Sequence, residues 1–228
     1  MSVDLAKLNA AKAAAKLVGD SRVIGVGSGT TVEKFIEIIS HDESFKQGVY
    51  VPSSLDTALK LSQAGFRVLH PSAVSRVEVY VDGADEVDPS LNMIKGGGAA
   101  MTLEKVLAFY AERRIFIVDY TKLVDRLGLR HPVPVEVLPH AMSMVLSELR
   151  RRGYRAEPRL AGRGKVGPLV SDVGGVVVDV RVGPIDDPKS LDKELRSLPG
   201  IVETGLFIGL ADMVIVGYPD RYDVLRLR

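Results

Sequence analysis

Residues 25–31, GVGSGTT, place four anion-holding groups in a row: Ser28, Gly29, Thr30 and Thr31. The segment lies between a short β-branched run and a stretch of helical spacing, so it reads as a glycine-rich turn from strand to helix. Glycines let a ligand approach the backbone, and the first N–H groups of a helix, with its dipole, favour negative charge. A phosphate or a carboxylate suits such a turn, and an ordinary helix cap is the plainer alternative. Two nucleotide fingerprints fail here. GxGxxG lacks its third glycine, at Thr30 counted from Gly25 and at Val32 counted from Gly27, and no GK[ST] follows.

Acid and base groups follow from other strand ends. VDGADEVD, residues 81–88, holds four acids, with Asp82 and Asp85 as the inward pair around Gly83 and Ala84. In an open parallel sheet the ligand crevice lies outside the carboxyl ends of the strands, where these acids are delivered. The spacing does not match an EF-hand loop and no histidine supports a transition metal, which leaves a solvated acidic turn as the alternative. IKGGGAAMTLEKV, residues 94–106, follows with Lys95, then Gly96, Gly97 and Gly98, then a helix containing Glu104. Three glycines in a row cost backbone entropy and suit a place where a small ligand touches the chain. Lys95 can keep the carboxylates ionised or stabilise an anionic intermediate. Glu104 is a candidate general base, although Lys105 beside it also allows a surface ion pair, and spacing does not choose between Glu104 and Glu112. VDYTKLVD, residues 118–125, sets Asp119 and Lys122 beyond a further strand end, where Lys122 can meet a phosphate.

The elements that must position these groups alternate. An amphipathic helix opens the chain; strands are expected at 22–27, 48–51, 66–69, 77–83 and 114–119, and helices where Val32, Phe35, Ile36 and Ile39 keep helical spacing and near 54–64 and 100–111. Strands alternating with helices imply a mostly parallel α/β sheet with helices on both faces. Near Gly128 the texture changes: HPVPVEVLP, 131–139, has three prolines and reads as an extended crossing between domains. Beyond it are expected a helix at 140–151, an extended 154–160, a strand at 175–182 and a helix at 188–197. The reading is a main domain of residues 1–128 completed by 204–228, with 129–203 as a small α+β domain and possible oligomer interface. GLFIGLADMVIVG, 205–217, is expected to rejoin the first sheet.

The chain has 228 residues, 46% hydrophobic and 26% charged, enough apolar material for a core and too much for disorder. Thirty Lys+Arg against 29 Asp+Glu leave a net charge of +1, so no bulk field points to nucleic acid or an anionic membrane. With no cysteine, thiol chemistry, zinc thiolate sites and iron–sulfur clusters are excluded, and the four histidines, 41, 70, 131 and 140, fall in no motif and read as structural or surface residues. The first 20 residues are interrupted by charge and do not form a signal peptide. The longest stretch without charge, 137–147, is far short of the roughly 18 residues of a membrane span. A cytoplasmic protein without a membrane segment is expected.

Taken in order, GVGSGTT, DGADEVD, MIKGGGAAMTLEKV, VDYTKLVD, PVPVEVLP and VETGLFIGLADMVIVG resemble the type A ribose-5-phosphate isomerase family over essentially the whole chain. DGADE with KGGGAA is the diagnostic pair. The resemblance implies a Rossmann-like domain with a small ferredoxin-like α+β domain. It implies reversible interconversion of ribose 5-phosphate and ribulose 5-phosphate in the non-oxidative branch of the pentose phosphate pathway, with neither metal nor organic cofactor, by a homodimer or homotetramer. Matched motif by motif, it assigns the general base to Glu104, the catalytic aspartates to Asp82 and Asp85 and the catalytic lysine to Lys95. Substrate contacts fall on Ser28, Gly29, Thr30 and Thr31, on Asp82, Gly83, Ala84 and Asp85, on Lys95 and Gly96, Gly97 and Gly98, and on Lys122. Lys7 is a weaker match for a phosphate contact. The chain departs from the family at Thr204, where asparagine is common, and at Asp172-Val173-Gly174 in place of a DNG turn; neither change falls in the implied site. The chemistry implied is proton transfer from C2 to C1 through a cis-enediolate. Two other readings are a sugar-phosphate sensor, which here lacks a recognisable helix-turn-helix or basic patch, and a dinucleotide oxidoreductase, against which the broken fingerprint argues.

Overall fold

The computed structural model describes residues 2–162 and 164–227. In chain order the elements begin with α1 (Ser2–Val18), β1 (Val23–Val26), α2 (Thr30–Ser40), β2 (Val49–Pro52), α3 (Leu55–Gln63), β3 (Arg67–Val68) and β4 (Val77–Asp82). Next come β5 (Glu86–Val87), β6 (Met93–Ile94), α4 (Met101–Phe109), β7 (Ala111–Asp119), β8 (Val133–Val137) and α5 (Met142–Arg151). The chain finishes with β9 (Arg155–Pro158), β10 (Val176–Arg181), α6 (Pro188–Arg196), β11 (Ile201–Thr204), β12 (Leu206–Phe207), β13 (Met213–Gly217) and β14 (Tyr222–Leu225). They fall into two compact units.

The first unit comprises the residues up to Ala84, Leu103–Leu123 and those from Gly209 on. Its seven-stranded sheet runs β14-β13-β7-β4-β1-β2-β3, parallel except where β14 pairs antiparallel with β13. Successive parallel strands spread from β1 in both directions, so the order reverses between β1 and β4. That is where ligands bind in open α/β sheets, and residues 28–31 and 83–84 leave the sheet there. The local reasons for the elements are simple. The helical period puts Val32, Phe35, Ile36 and Ile39 of α2 into the core with Ile24, Val26, Val79, Val81, Ile115 and Ile117 of the sheet. Small residues Ala6, Ala10, Ala13 and Ala14 form the buried face of α1, which lies so close to β13 that a Cβ on Gly217 would collide with the Ala6 carbonyl. Ser54 caps α3, accepting from the Thr57 N–H at 3.1 Å. Gly65, with φ +79°, turns the chain out of that helix as the sequence suggests.

The second unit comprises Asp85–Thr102 and Val124–Ile208. Its antiparallel sheet, β11-β8-β10-β9, directs Val133, Val135 and Val137 with Val176, Val178 and Val180 into one apolar core with Val145, Leu149, Leu191 and Leu195 of α5 and α6. Alternation leaves Glu136 and Asp179 on the opposite face. A short antiparallel sheet, β12-β6-β5, belongs to the same unit.

Two expectations change. HPVPVEVLP is not a crossing segment: its valines build β8, an inner strand of the second sheet. Proline bars helix, but the alternating valines still supply a strand face, and the Pro134 carbonyl accepts the Gly205 N–H at 2.7 Å. The units also divide at residues 123/124 and 208/209 rather than 128/129 and 203/204, and 85–102 groups with the second unit, where β5 pairs with β6 and β6 with β12. The closing segment is therefore split: β12 stays in the second unit, and β13 joins the first sheet beside β7 as expected.

Candidate active site

In the first unit, β1, β4 and β7 are parallel and end along one edge of the sheet. Each delivers a part of the site there. β1 ends in the turn at 27–29, where Gly29, at φ +97°, is the N-cap residue of α2 and has no side chain with which to cap it. The helix thus starts without a side-chain cap, and the capped-turn alternative does not describe it. Lys7, brought over by the packing of α1 on α2, donates from Nζ to Thr30 Oγ1 at 2.9 Å. Thr30, Thr31, Lys7 and the first turn of α2 together offer positive potential and donors to an anion, with Ser28 at the start of the turn. Lys122 ends a short 3-10 turn after β7, half-buried, with Asp119 accepting from the Thr121 N–H at the turn's start.

β4 ends in Asp82, which is fully buried. Its Oδ1 accepts from the N–H groups of Gly83 at 2.7 Å and Ser28 at 3.1 Å, and its Oδ2 accepts from the Tyr80 hydroxyl at 2.6 Å. Gly27 is required here, since a Cβ would collide with the Asp82 carboxyl group. Burial, followed by the negative charges of Asp82 and Glu104, raises the Tyr80 phenol well above its ordinary value, so it stays a donor. Tyr80 is absent from the sequence-based set. Its signal is its place two residues before Asp82 on a strand, where side chains share a face.

Glu104, in α4, is 2% exposed, and its Oε1 accepts from the Ser28 hydroxyl at 2.6 Å. Its neighbour Lys105 is buried too, so the surface-pair reading does not hold. Glu112 instead lies exposed and pairs with Arg76 at 2.9 Å. The ambiguity between the two glutamates is resolved by position: Glu104 reaches the turn after β1 and Glu112 faces solvent.

In the second unit, the remaining acids of residues 81–88 separate by role. Glu86, fully buried, accepts from the N–H groups of Gly128, Arg130 and His131 at 2.6, 2.6 and 2.7 Å. Asp88 accepts from Ser90 and Asn92 in a local turn. Asp85 is the acid that reaches the glycine run, its Oδ2 accepting from the Gly97 N–H at 2.8 Å. Lys95 is 3% exposed; its N–H donates to the Gly205 carbonyl at 2.8 Å and its ammonium lies 5.3 Å from the centre of the Phe207 ring. Gly96 takes φ +105° and is buried against Met101 and Pro134, whereas Gly97 and Gly98 are exposed. Ala99 closes the run in the left-handed region at φ 62°, its N–H bonded to the Gly96 carbonyl at 3.0 Å. Thr204 is buried and bonded to Asp192 and to the Leu206 N–H, an internal tie of this unit.

Among the described residues, no group of three or more His, Asp or Glu is placed to hold a metal ion, and no helix is long and apolar enough to cross a membrane.

The model of the ribose 5-phosphate isomerase A (phosphoriboisomerase A) family matches residues 49–221. A ribose-5-phosphate isomerase A of Aeropyrum pernix is 47% identical over 203 residues, covering 89% of this chain and 85% of that protein. A solved D-ribose-5-phosphate isomerase in complex with phospho-erythronic acid superposes with a TM-score of 0.95 at 39% identity, covering 100% of both chains. The ribose 5-phosphate isomerase A structure from Methanocaldococcus jannaschii gives a TM-score of 0.92 at 37% identity, over 98% of this chain and 99% of that one.

Proposed function

The chain belongs to the ribose 5-phosphate isomerase A family, and from that premise we propose that it interconverts D-ribose 5-phosphate and D-ribulose 5-phosphate with Glu104 as the base. The observation that carries this reading is the buried Glu104 carboxylate at 2.6 Å from Ser28, in a turn whose helix lacks a side-chain cap.

The roles follow from the chemistry. Ring opening exposes the C1 aldehyde. Glu104 removes the proton from C2 to form a cis-enediolate and returns it to C1, while a second proton passes from O2 to O1. One carboxylate that takes and gives the same proton suffices. Asp82 and Asp85 hold the sugar hydroxyls and assist ring opening and hydroxyl proton exchange. Lys95 and the Gly98 N–H at the exposed end of the glycine run stabilise the charge that develops on the enediolate oxygens, while Gly97 holds Asp85 and Gly96 turns the chain. Ser28, Gly29, Thr30, Thr31, Lys7 and Lys122 hold the phosphate, and Gly83 and Ala84 line the sugar beside Asp82. Binding energy from the phosphate, remote from the reacting carbons, is used to orient them. The reaction asks for neither a metal nor an organic cofactor. It belongs to the non-oxidative pentose phosphate pathway, and we place the enzyme in the cytoplasm as a homodimer or homotetramer, which light scattering of the purified protein tests.

The deciding assay is ketopentose formation from ribose 5-phosphate in excess EDTA, with Glu104→Gln alongside. Turnover by the parent chain and its loss in the variant, with sugar phosphate still bound, is expected. Phospho-erythronic acid, whose carboxylate resembles the enediolate oxygens, is expected to compete with substrate. An active Glu104→Gln variant removes Glu104 from the role of base.

A further inference from the structure

Arg159 lies just beyond β9, outside every motif of the sequence, and all the nitrogens of its guanidinium are engaged. Nε and Nη2 form a fork with Asp179 of β10 at 2.9 and 2.5 Å. Nη1 donates to two successive carbonyls of the glycine run, Gly96 at 2.7 Å and Gly97 at 3.1 Å. The backbone of Arg159 is itself anchored: its N–H donates to the Val177 carbonyl at 2.8 Å and its carbonyl accepts from the Leu169 N–H at 2.7 Å. The pair is mostly buried, with 18% and 24% of the two side chains exposed.

The direction of these bonds determines what the glycine run presents. In a planar trans peptide the C=O and the following N–H point opposite ways. Fixing the carbonyls of Gly96 and Gly97 toward Arg159 therefore turns the N–H groups of Gly97 and Gly98 away from it. The first of these meets Asp85 Oδ2 at 2.8 Å; the second issues from the exposed, side-chain-free part of the run. Glycine peptides rotate easily; the Ala99 N–H also holds the Gly96 carbonyl, at 3.0 Å, and Arg159 adds a tie from outside the run that reaches the Gly97 carbonyl as well.

We propose that Arg159, held in place by Asp179, is a positioning residue of the reaction: it orients the two peptide planes of residues 96–98 so that Asp85 and the Gly98 N–H are fixed against the sugar end of the substrate. The proposal rests on the isomerase reading above. Arginine is needed because a planar fork serves a carboxylate and two carbonyls at once, which an ammonium group cannot do.

The test uses the full chain with Arg159→Met, Arg159→Lys and Asp179→Asn. Five quantities are read: kcat, KM, inhibition by phospho-erythronic acid, inhibition by inorganic phosphate, and the melting temperature. Misplacing groups at a reacting centre by about 1 Å costs on the order of 100-fold, so Arg159→Met is expected to lose about 10- to 100-fold in kcat/KM, mainly in kcat. Inhibition by phospho-erythronic acid weakens with it, and inhibition by inorganic phosphate, which does not engage the sugar end, is unchanged. Arg159→Lys and Asp179→Asn fall between, and they carry the test if Arg159→Met does not fold. A lowered melting temperature with unaltered kinetics overturns the proposal, making the pair a structural tie of β9 and β10. Equal weakening by both inhibitors also overturns it, since the whole site has then been disturbed. A parent chain that neither turns over ribose 5-phosphate nor binds phospho-erythronic acid fails at the earlier step, the isomerase reading itself.

Discussion

The Ser28 hydroxyl meets Glu104 Oε1 at 2.6 Å across 76 residues of sequence, joining the turn that starts α2 to the carboxylate of α4. The same residue donates its backbone N–H to Asp82 at 3.1 Å. One small residue thus touches both Asp82 and Glu104, and its removal tests whether they act as a set. Ser28→Ala is expected to retain the fold and to lower kcat/KM by about ten-fold, on the scale of one charge-assisted hydrogen bond of about 1.5 kcal/mol. Steady-state assays across a range of ribose 5-phosphate concentrations check this; unaltered kinetics remove Ser28 from the site.

Gly27 offers a steric test of Asp82. A methyl group there collides with the Asp82 carboxyl, and the side chain cannot move far because Tyr80, Gly83 and Ser28 hold it. Gly27→Ala is expected to reduce turnover by about 100-fold or more through displacement of Asp82, with overpacking costing about 1–3 kcal/mol in stability. Urea unfolding measured beside turnover separates the two effects.

Tyr80→Phe deletes a single oxygen from a fully buried position. The hydroxyl donates to Asp82 Oδ2 at 2.6 Å, and loss of a buried donor to a carboxylate costs about 1–3 kcal/mol. Denaturation midpoints are expected to fall accordingly, with a smaller kcat and little change in KM, because Tyr80 acts on the substrate only through Asp82. Near-parental stability shows that Asp82 needs no such donor.

Acid sensitivity is expected at the Arg114–Asp212 pair. Burial raises the Asp212 carboxyl, but hydrogen bonds from the Arg114 side chain and N–H, at 2.6, 2.9 and 2.7 Å, outweigh it and hold the group below its ordinary value of 3.8. A depressed carboxyl contributes stability that is complete above 3.8 and is lost as pH falls through the lower, folded-state value. Asp212→Asn is therefore expected to melt below the parent at pH 6 and to approach it as the pH drops under 3.8. The gap at pH 6 is on the order of 1 kcal/mol, discounted because solvent reaches the pair. A gap independent of pH assigns the loss to packing.

Local features were legible because local physics produces them. The period of Val32, Phe35, Ile36 and Ile39 specifies a helix, Gly65 ends α3, and alternating valines with flanking glycines mark β1, β4 and β10. From these follow the α/β class and the delivery of Ser28, Asp82 and Lys122 to one edge of a parallel sheet. What remained open depends on pairings between distant residues. Glu104 and Glu112 are equivalent by spacing, and only the packed chain sets one beside Ser28 and the other beside Arg76. Glu86 and Asp85 are adjacent, yet one serves the backbone of residues 128–131 and the other the glycine run. Prolines 132 and 134 argued for a crossing, but pairing with β10 and β11 made an inner strand. Arg159 carried no motif at all, because its partners, Asp179 and the carbonyls of Gly96 and Gly97, are brought to it by a sheet built from separate segments. Propensity and period act over a few residues and are written along the chain; the orientation of a buried charge or of a glycine peptide is set by contacts that exist only once the chain has folded.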